Sequence, residues 1–252
     1  MTVTVSHIAA WAPGITSADD WKKWATGELH IACTKDAPKL EYTDMLFRRR
    51  LSQISKMTVQ VVHDVLERAP HAKTLKQVFI SCRGELAREF SVSKTLVEEH
   101  AILPANFSLS VFNTPIALAT IALGLRGGYS VIYPSKGDFC AAFQGACAPL
   151  FAGSENKILL VYADEFAPEE YSAFGTASYE PLAFAAILSR EGNEAGSTSA
   201  CMCASTNAHS TDTSATSTND ATITLHDISV ELADVPHDAA SFLKLIINKD
   251  TA

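Results

Sequence analysis

A chain of 252 residues that is 47% hydrophobic and 19% charged carries enough apolar material for a sizeable core and is far from a disordered composition. Its formal net charge of -8 excludes the basic face that non-specific nucleic-acid binding needs. The most apolar stretches, 115–125 and 182–188, fall short of the roughly 20 residues of a membrane-spanning helix. Residues 1–7 have neither a basic start nor an apolar signal core, so a cytoplasmic protein without membrane insertion is expected.

Residues 7–36, with Trp11, Trp21 and Trp24 around Pro13 and Gly14, read as a loop-rich entry with a short helix near 19–26. The tryptophans are expected as packing anchors. Residues 44–68 read as one helix, because Leu51, Ile54, Met57, Val61, Val62 and Val65 recur at helical spacing and predict one buried face. Arg48, Arg49 and Arg50 make a charge run at its start, read first as a solvated face and second as a carrier-protein docking patch. Residues 76–82 predict a buried strand ended by Arg83 and Gly84, followed by a polar helix near 92–100.

A small-residue helix is expected over 115–123, stopped at Gly124, since glycine accepts the left-handed conformation found after helix ends. A strand over 129–134 and an alanine-rich helix over 138–151, capped by Asp138, come next. Residues 157–163 are the clearest buried strand; 181–189 and 221–230 are further strands, and 237–247 a closing helix. Between them, the Ser-, Thr-, Ala- and Asn-rich stretch 191–219 is expected to be a flexible loop. Strands alternating with helices indicate an α/β layered domain with a largely parallel or mixed sheet.

Motifs for common chemistries are missing. The six cysteines, Cys33, Cys82, Cys140, Cys147, Cys201 and Cys203, are scattered; Cys201 and Cys203 have no second Cys/His pair at zinc spacing, so no metal is expected. No Gly-x-Ser-x-Gly occurs, and Gly124-x-x-Gly127-Gly128 precedes a predicted strand where a phosphate loop precedes a helix. His7, His30, His63, His71, His100, His209, His226 and His237 stand alone.

From 103 to 165 the chain resembles the N-terminal half of β-ketoacyl synthases. The likeness rests on Pro104, Asn113, Gly124-Leu-Arg-Gly127, the strand 130–133, the helix after Gly137 and the segment 158–165. It is more similar still to short ketoacyl-synthase-like proteins described as chain length factors of aryl polyene synthesis. These look like Ala10-Trp-Ala-Pro-Gly14, Arg48-Arg-Arg-Leu-Ser52, Ser81-Cys-Arg-Gly-Glu85, Phe107-Ser-Leu-Ser-Val-Phe-Asn113 and Leu160-Val-Tyr-Ala-Asp-Glu165. Many members have His where this chain has Phe112. The resemblance implies a thiolase-like layered fold with a mixed sheet, a single domain over 1–252, and a second half reduced or missing, with 220–252 as its vestige.

It also implies a reaction this chain is not equipped for. A ketosynthase needs a thiolate nucleophile at the start of a helix, whose dipole lowers its pKa, and two C-terminal histidines. Counting from Gly124-Leu-Arg-Gly127 and back from Gly153 puts Lys136 at the nucleophile position, flanked by Ser135 and Gly137. An ammonium is no nucleophile at neutral pH. No catalytic residue and no cofactor are therefore expected. By resemblance, the chain is a silent subunit that heterodimerises with a full-length β-ketoacyl-ACP synthase, with an acyl carrier protein as a further candidate partner. The strand Tyr129, Ser130, Val131, Ile132, Tyr133, Pro134 would lie near that interface, and Phe112, Asn113 and Lys136 would wall the acyl tunnel. The alternative is an acyltransferase or thioesterase using Cys140 or Cys82. Cys140 reads as a small core residue on a face shared with Ala141 and Phe143, and Cys82 as a structural thiol whose pKa Arg83 could lower.

Overall fold

The computed structural model describes residues 1–174, 179–190 and 226–251; the stretch 191–219 lies outside them. Six strands form one mixed sheet, in the order β3-β2-β4-β5-β1-β6. They are β1 (Thr2–Trp11), β2 (Lys76–Ile80), β3 (Tyr129–Ile132), β4 (Lys157–Asp164), β5 (Leu182–Arg190) and β6 (Ile228–Glu231). β2 runs parallel to both β3 and β4, whereas β4, β5, β1 and β6 are joined antiparallel. Among the described residues the α-helices are α1 (Ala18–Thr26), α2 (Met45–Arg48), α3 (Gln53–Arg68), α4 (Leu86–Glu99), α5 (Pro104–Ser108), α6 (Thr114–Leu123), α7 (Phe139–Phe151) and α8 (Ala239–Thr251).

Both faces of the sheet are covered, which is why β4 is apolar between its charged ends, from Ile158 to Ala163. On one face Ile54, Met57, Val61 and Val65 of α3 and Ile116 of α6 pack on Phe79, Leu159 and Val161. On the other, Phe139 and Phe143 of α7 and Phe242 of α8 pack on Ile80, Leu160 and Phe184. Trp21 and Trp24 of α1, each 1% exposed, complete that core, as their anchoring role predicts.

The structure corrects the sequence reading in four places. Residues 2–11 are a strand where a loop-rich entry was expected from residue 7; Val3 and Val5 point into the core, and a bulge between Ser6 and Ala9 carries His7 at φ 50°. The helix expected over 44–68 is two helices, because Asp44 and Ser52 each turn a side-chain oxygen onto first-turn amides and start a helix of their own. The helix expected from residue 92 begins at Leu86. Cys140 and Phe143 do pack inward, but Ala141, expected beside them, is exposed. Of the strand expected over 221–230, the described part is β6.

Gly127 explains how β3 is brought alongside β2. A Cβ there would lie 1.9 Å from the Leu75 carbonyl oxygen, so only glycine lets the chain cross the end of β2 so closely.

Candidate functional site

The carboxyl ends of β2, β3 and β4 lie side by side, and the chain leaves them in opposite directions across the two faces. In open α/β sheets such a place is where functional groups collect. β3 ends at Ile132, and after Tyr133 and Pro134 a short turn, Ser135–Gly137, delivers the chain into α7. In that turn Lys136 is left-handed, φ 56° and ψ 19°, and its side chain is exposed; Gly137 follows at φ 72°. Asp138 closes the turn by accepting from the Ala141 amide, 3.2 Å away, and from His237 Nδ1 at 3.1 Å. That pairing holds the Asp138 carboxyl below the usual carboxylate range.

β3 is one of the two edges of the sheet, β6 the other. Gln77 N donates to Gly128 O at 2.9 Å and Ser81 N to Ile132 O at 3.3 Å. By the two-residue period of a parallel ladder, Ser130 and Ile132 therefore turn their backbone groups to β2, and Tyr129, Val131 and Tyr133 turn theirs outward. Phe112 lies edge-to-face on Tyr133, with ring centres 5.3 Å apart. It also covers Gly84, where a Cβ would come within 2.6 Å of its ring. Asn113 Nδ2 donates to the Tyr129 hydroxyl at 3.0 Å. The structure thus places Asn113 on Tyr129 at the start of the edge strand, and Phe112 on Tyr133 with the Lys136 turn beyond its end, while Ser130, Val131 and Ile132 run between them. Beside it Phe107 and Val111, both exposed, line an open pocket together with Phe112.

Sequence reasoning missed a second feature, a set of buried carboxylates behind this end of the sheet. Asp164, at the tip of β4, accepts from Ser81 Oγ (2.7 Å), the Cys82 and Arg83 amides (3.0 Å each) and the Tyr162 hydroxyl (2.6 Å). Glu85 accepts from Ser52, Ser55 and Arg88 side chains. Glu165 accepts from two backbone amides, Ala87 at 2.8 Å and Ile54 at 3.4 Å. All three acids are 1% exposed. Burial pushes the Glu165 carboxyl up to about 7; the charges of Glu85 and Asp164 add to the rise and the two amides oppose it.

The profile of the β-ketoacyl synthase N-terminal domain matches residues 21–239. The chain belongs to that family. Among solved structures it is similar to a chain of the complex of the ketosynthase ApeO with its chain length factor ApeC from Xenorhabdus doucetiae. There the identity is 25% and the TM-score 0.66, over 75% of this chain and 79% of that one. It also shares its fold with the ishigamide ketosynthase/chain length factor, at 13% identity and TM-score 0.59 over 78% of this chain and 64% of that one. A similar match is to AntDE:AntF, a type II carrier protein in complex with its ketosynthase bound to the hexaketide, at 13% identity and TM-score 0.58 over 75% and 63%. The chain thus spans under two thirds of the latter two. No curated protein matches it. Among the described residues no helix is long and apolar enough to cross a membrane.

For a ketosynthase-like chain the question is where a thiolate could form. Ser135, Lys136 and Gly137 supply none. Cys82 Sγ lies 3.9 Å from the Gly137 carbonyl, directly behind the turn, but burial pushes its thiol up to about 12, with the Asp164 charge adding to the rise. Arg83, expected to lower it, acts in that sense and is outweighed. Cys147 is likewise pushed up to about 12 by burial in α7. Cys140 meets Gln144 Nε2 at 3.4 Å. At pH 8 only about one Cys82 thiol in ten thousand is ionised. Iodoacetamide at pH 8 is therefore expected to alkylate exposed Cys33 on the order of a hundredfold faster than Cys82 or Cys147, read by peptide mass spectrometry. A rapid adduct on Cys82 would contradict this picture of the site.

Proposed function

We propose that this chain is a non-catalytic subunit of the chain-length-factor type, a single thiolase-like domain that heterodimerises with an active β-ketoacyl-ACP synthase. The observation that carries the reading is the turn after β3. The position counted as the nucleophile's is an exposed lysine in a left-handed turn, and the thiol behind it is held in its neutral form. The ApeO/ApeC match supports it as well: shares of 75% and 79% mean that the matched chain is of nearly equal length. In this reading residues 220–252 are what remains of a second ketosynthase half.

The partner docks on β3. The outward amides and carbonyls of Tyr129, Val131 and Tyr133 pair antiparallel with a strand of the ketosynthase, as an open edge favours. Phe107 and Val111, exposed beside Phe112, are covered in the same step, since neighbouring exposed apolar groups mark an interaction surface. Phe112, Asn113 and Lys136, beside that strand, wall the tunnel that receives the growing acyl or polyene chain, and their bulk limits its length. The pathway is aryl polyene synthesis or a related polyketide or fatty acid route, with an acyl carrier protein delivering the chain. An acyltransferase or thioesterase based on Cys82 or Cys140 has less support, because no histidine is hydrogen-bonded to either thiol among the described residues.

Co-expression with a full-length ketosynthase from the same genome tests the reading. A one-to-one complex that survives size exclusion over a range of salt is expected. Separate elution at every salt concentration would count against it.

A further inference from the structure

Asp164 is anchored from inside the core. Its Oδ2 accepts from the Tyr162 hydroxyl at 2.6 Å. The Tyr162 ring is stacked on Phe184, with centres 5.2 Å apart, and lies edge-on to Phe139 at 5.6 Å. Its Oδ1 accepts from Ser81 Oγ at 2.7 Å and from the Cys82 and Arg83 amides at 3.0 Å each. An ionised carboxylate only accepts, and all of these groups donate. Arg83 Nε, 3.9 Å away, adds a positive charge. The end of β2 is therefore hung from the tip of β4 by a group that the core itself holds in place.

The Ser81 hydroxyl passes that placement on. With its hydrogen given to Asp164, its oxygen is left to accept. Gly84 N donates to it at 2.8 Å, which fixes where Gly84 lies. Gly84 is left-handed at φ 59°, and the Phe112 ring takes the space a Cβ would fill, 2.6 Å from that position. The ring in turn meets Tyr133 edge-to-face. Cys82, whose amide is on the same carboxylate, backs the Lys136 turn through its Sγ, 3.9 Å from Gly137 O. Phe112 and the turn, proposed above as tunnel wall, are thus both placed by one buried acid.

We propose that Asp164 is a positioning residue for chain length. Acting through Ser81 and Gly84, it fixes the Phe112 ring against Tyr133 and so sets the bore of the tunnel beside β3. It touches no substrate. Its effect on product rests on the function proposed above; its effect on the ring does not. Once Ser81 lets go of Gly84, the ring lying on Gly84 gains play, and the wall yields to a longer chain.

The ring is read first, by NMR of the chain alone. Its ring current displaces the Gly84 Hα resonances, and Phe112→Ala gives their undisplaced positions. In Ser81→Ala and in Asp164→Ala these resonances are expected to move toward the Phe112→Ala values. The seated ring should be about fivefold less favoured, the worth of one hydrogen bond. Ser81→Ala removes the relay and leaves Asp164 its other donors, so it decides alone should Asp164→Ala fail to fold. Resonances unmoved in Ser81→Ala, or in a folded Asp164→Ala, overturn the proposal.

Product is read next, with the ketosynthase and malonyl-loaded carrier protein. Ser81→Ala is expected to raise the share of over-long product about fivefold, and to add nothing to it in a Phe112→Ala background. A general loss of structure would instead lower total product in both backgrounds. That result, or an unchanged length distribution beside a productive native pair, overturns the role in chain length. No product from the native pair would count against the proposed function, and the Gly84 resonances would still decide how the ring is placed.

Discussion

Replacing Val131 with proline is expected to separate this chain from the proposed ketosynthase partner while leaving its own fold standing. Val131 lies in the edge strand with its amide turned away from β2, so the substitution removes no hydrogen bond inside the sheet. Proline is tolerated in strands at such edge positions, where the missing N–H would have met solvent. Residue Ser130 before it is already extended, as the residue preceding a proline must be. In the proposed complex the same atom is needed. A partner strand laid along β3 would lose the Val131 donor, meet the pyrrolidine ring, and bury a carbonyl with nothing to accept from. Together these cost about 3 kcal/mol, on the order of a hundredfold in affinity. Circular dichroism should be unchanged, and titration calorimetry against the ketosynthase should show the loss. Undiminished affinity would place the interface somewhere other than β3.

The second large effect falls on stability. Phe139→Ala is expected to lower the free energy of unfolding by about 3–5 kcal/mol, measured by urea denaturation. Phe139 is the first residue of α7 and is fully buried. Its ring meets Phe143, Tyr162, Phe184 and Phe242 at 5.2–6.0 Å between centres. These neighbours belong to α7, β4, β5 and α8, so the cavity left by the ring would open between two strands and two helices and could not close by moving one of them. Its amide also donates to His237 O at 2.8 Å, tying the segment before α8 to the turn at Lys136. A loss below about 1 kcal/mol would mean that this junction repacks freely, and that the turn is not rigidly placed.

The parts of the fold that can be read from sequence are those whose pattern is long and one-sided. Residues 158–163 form an unbroken buried run because both sheet faces are covered, and α7 announces itself by Asp138 ahead of an alanine-rich run. β1 has no such mark. Its Thr2-Val3-Thr4-Val5 alternation is brief, a bulge breaks the period, and its partners β5 and β6 lie far along the chain, so the pairing is a tertiary fact. The split between α2 and α3 was hidden for another reason. The apolar period runs through Leu51, and only the capping geometry of Ser52 reveals a new start.

Of the candidate site, the turn and the edge strand were legible through the family resemblance, because each is local in sequence. The carboxylate cluster was not. Glu85, Asp164 and Glu165 come from two strand ends, and a sequence gives charged residues after an apolar run as a loop. The one available signal was that Asp164 and Glu165 follow β4 without an intervening glycine or proline, at a place where parallel strands end.

The central claim is that the turn after β3 carries out no chemistry unaided. Its most direct test is to incubate the purified chain with acyl-loaded and malonyl-loaded carrier protein, first alone and then with the ketosynthase, following intact mass and product. The account predicts no acyl adduct and no condensation product from the chain alone, and product once the ketosynthase is added. An extended product, or an acyl group covalently held, from the chain by itself would contradict it.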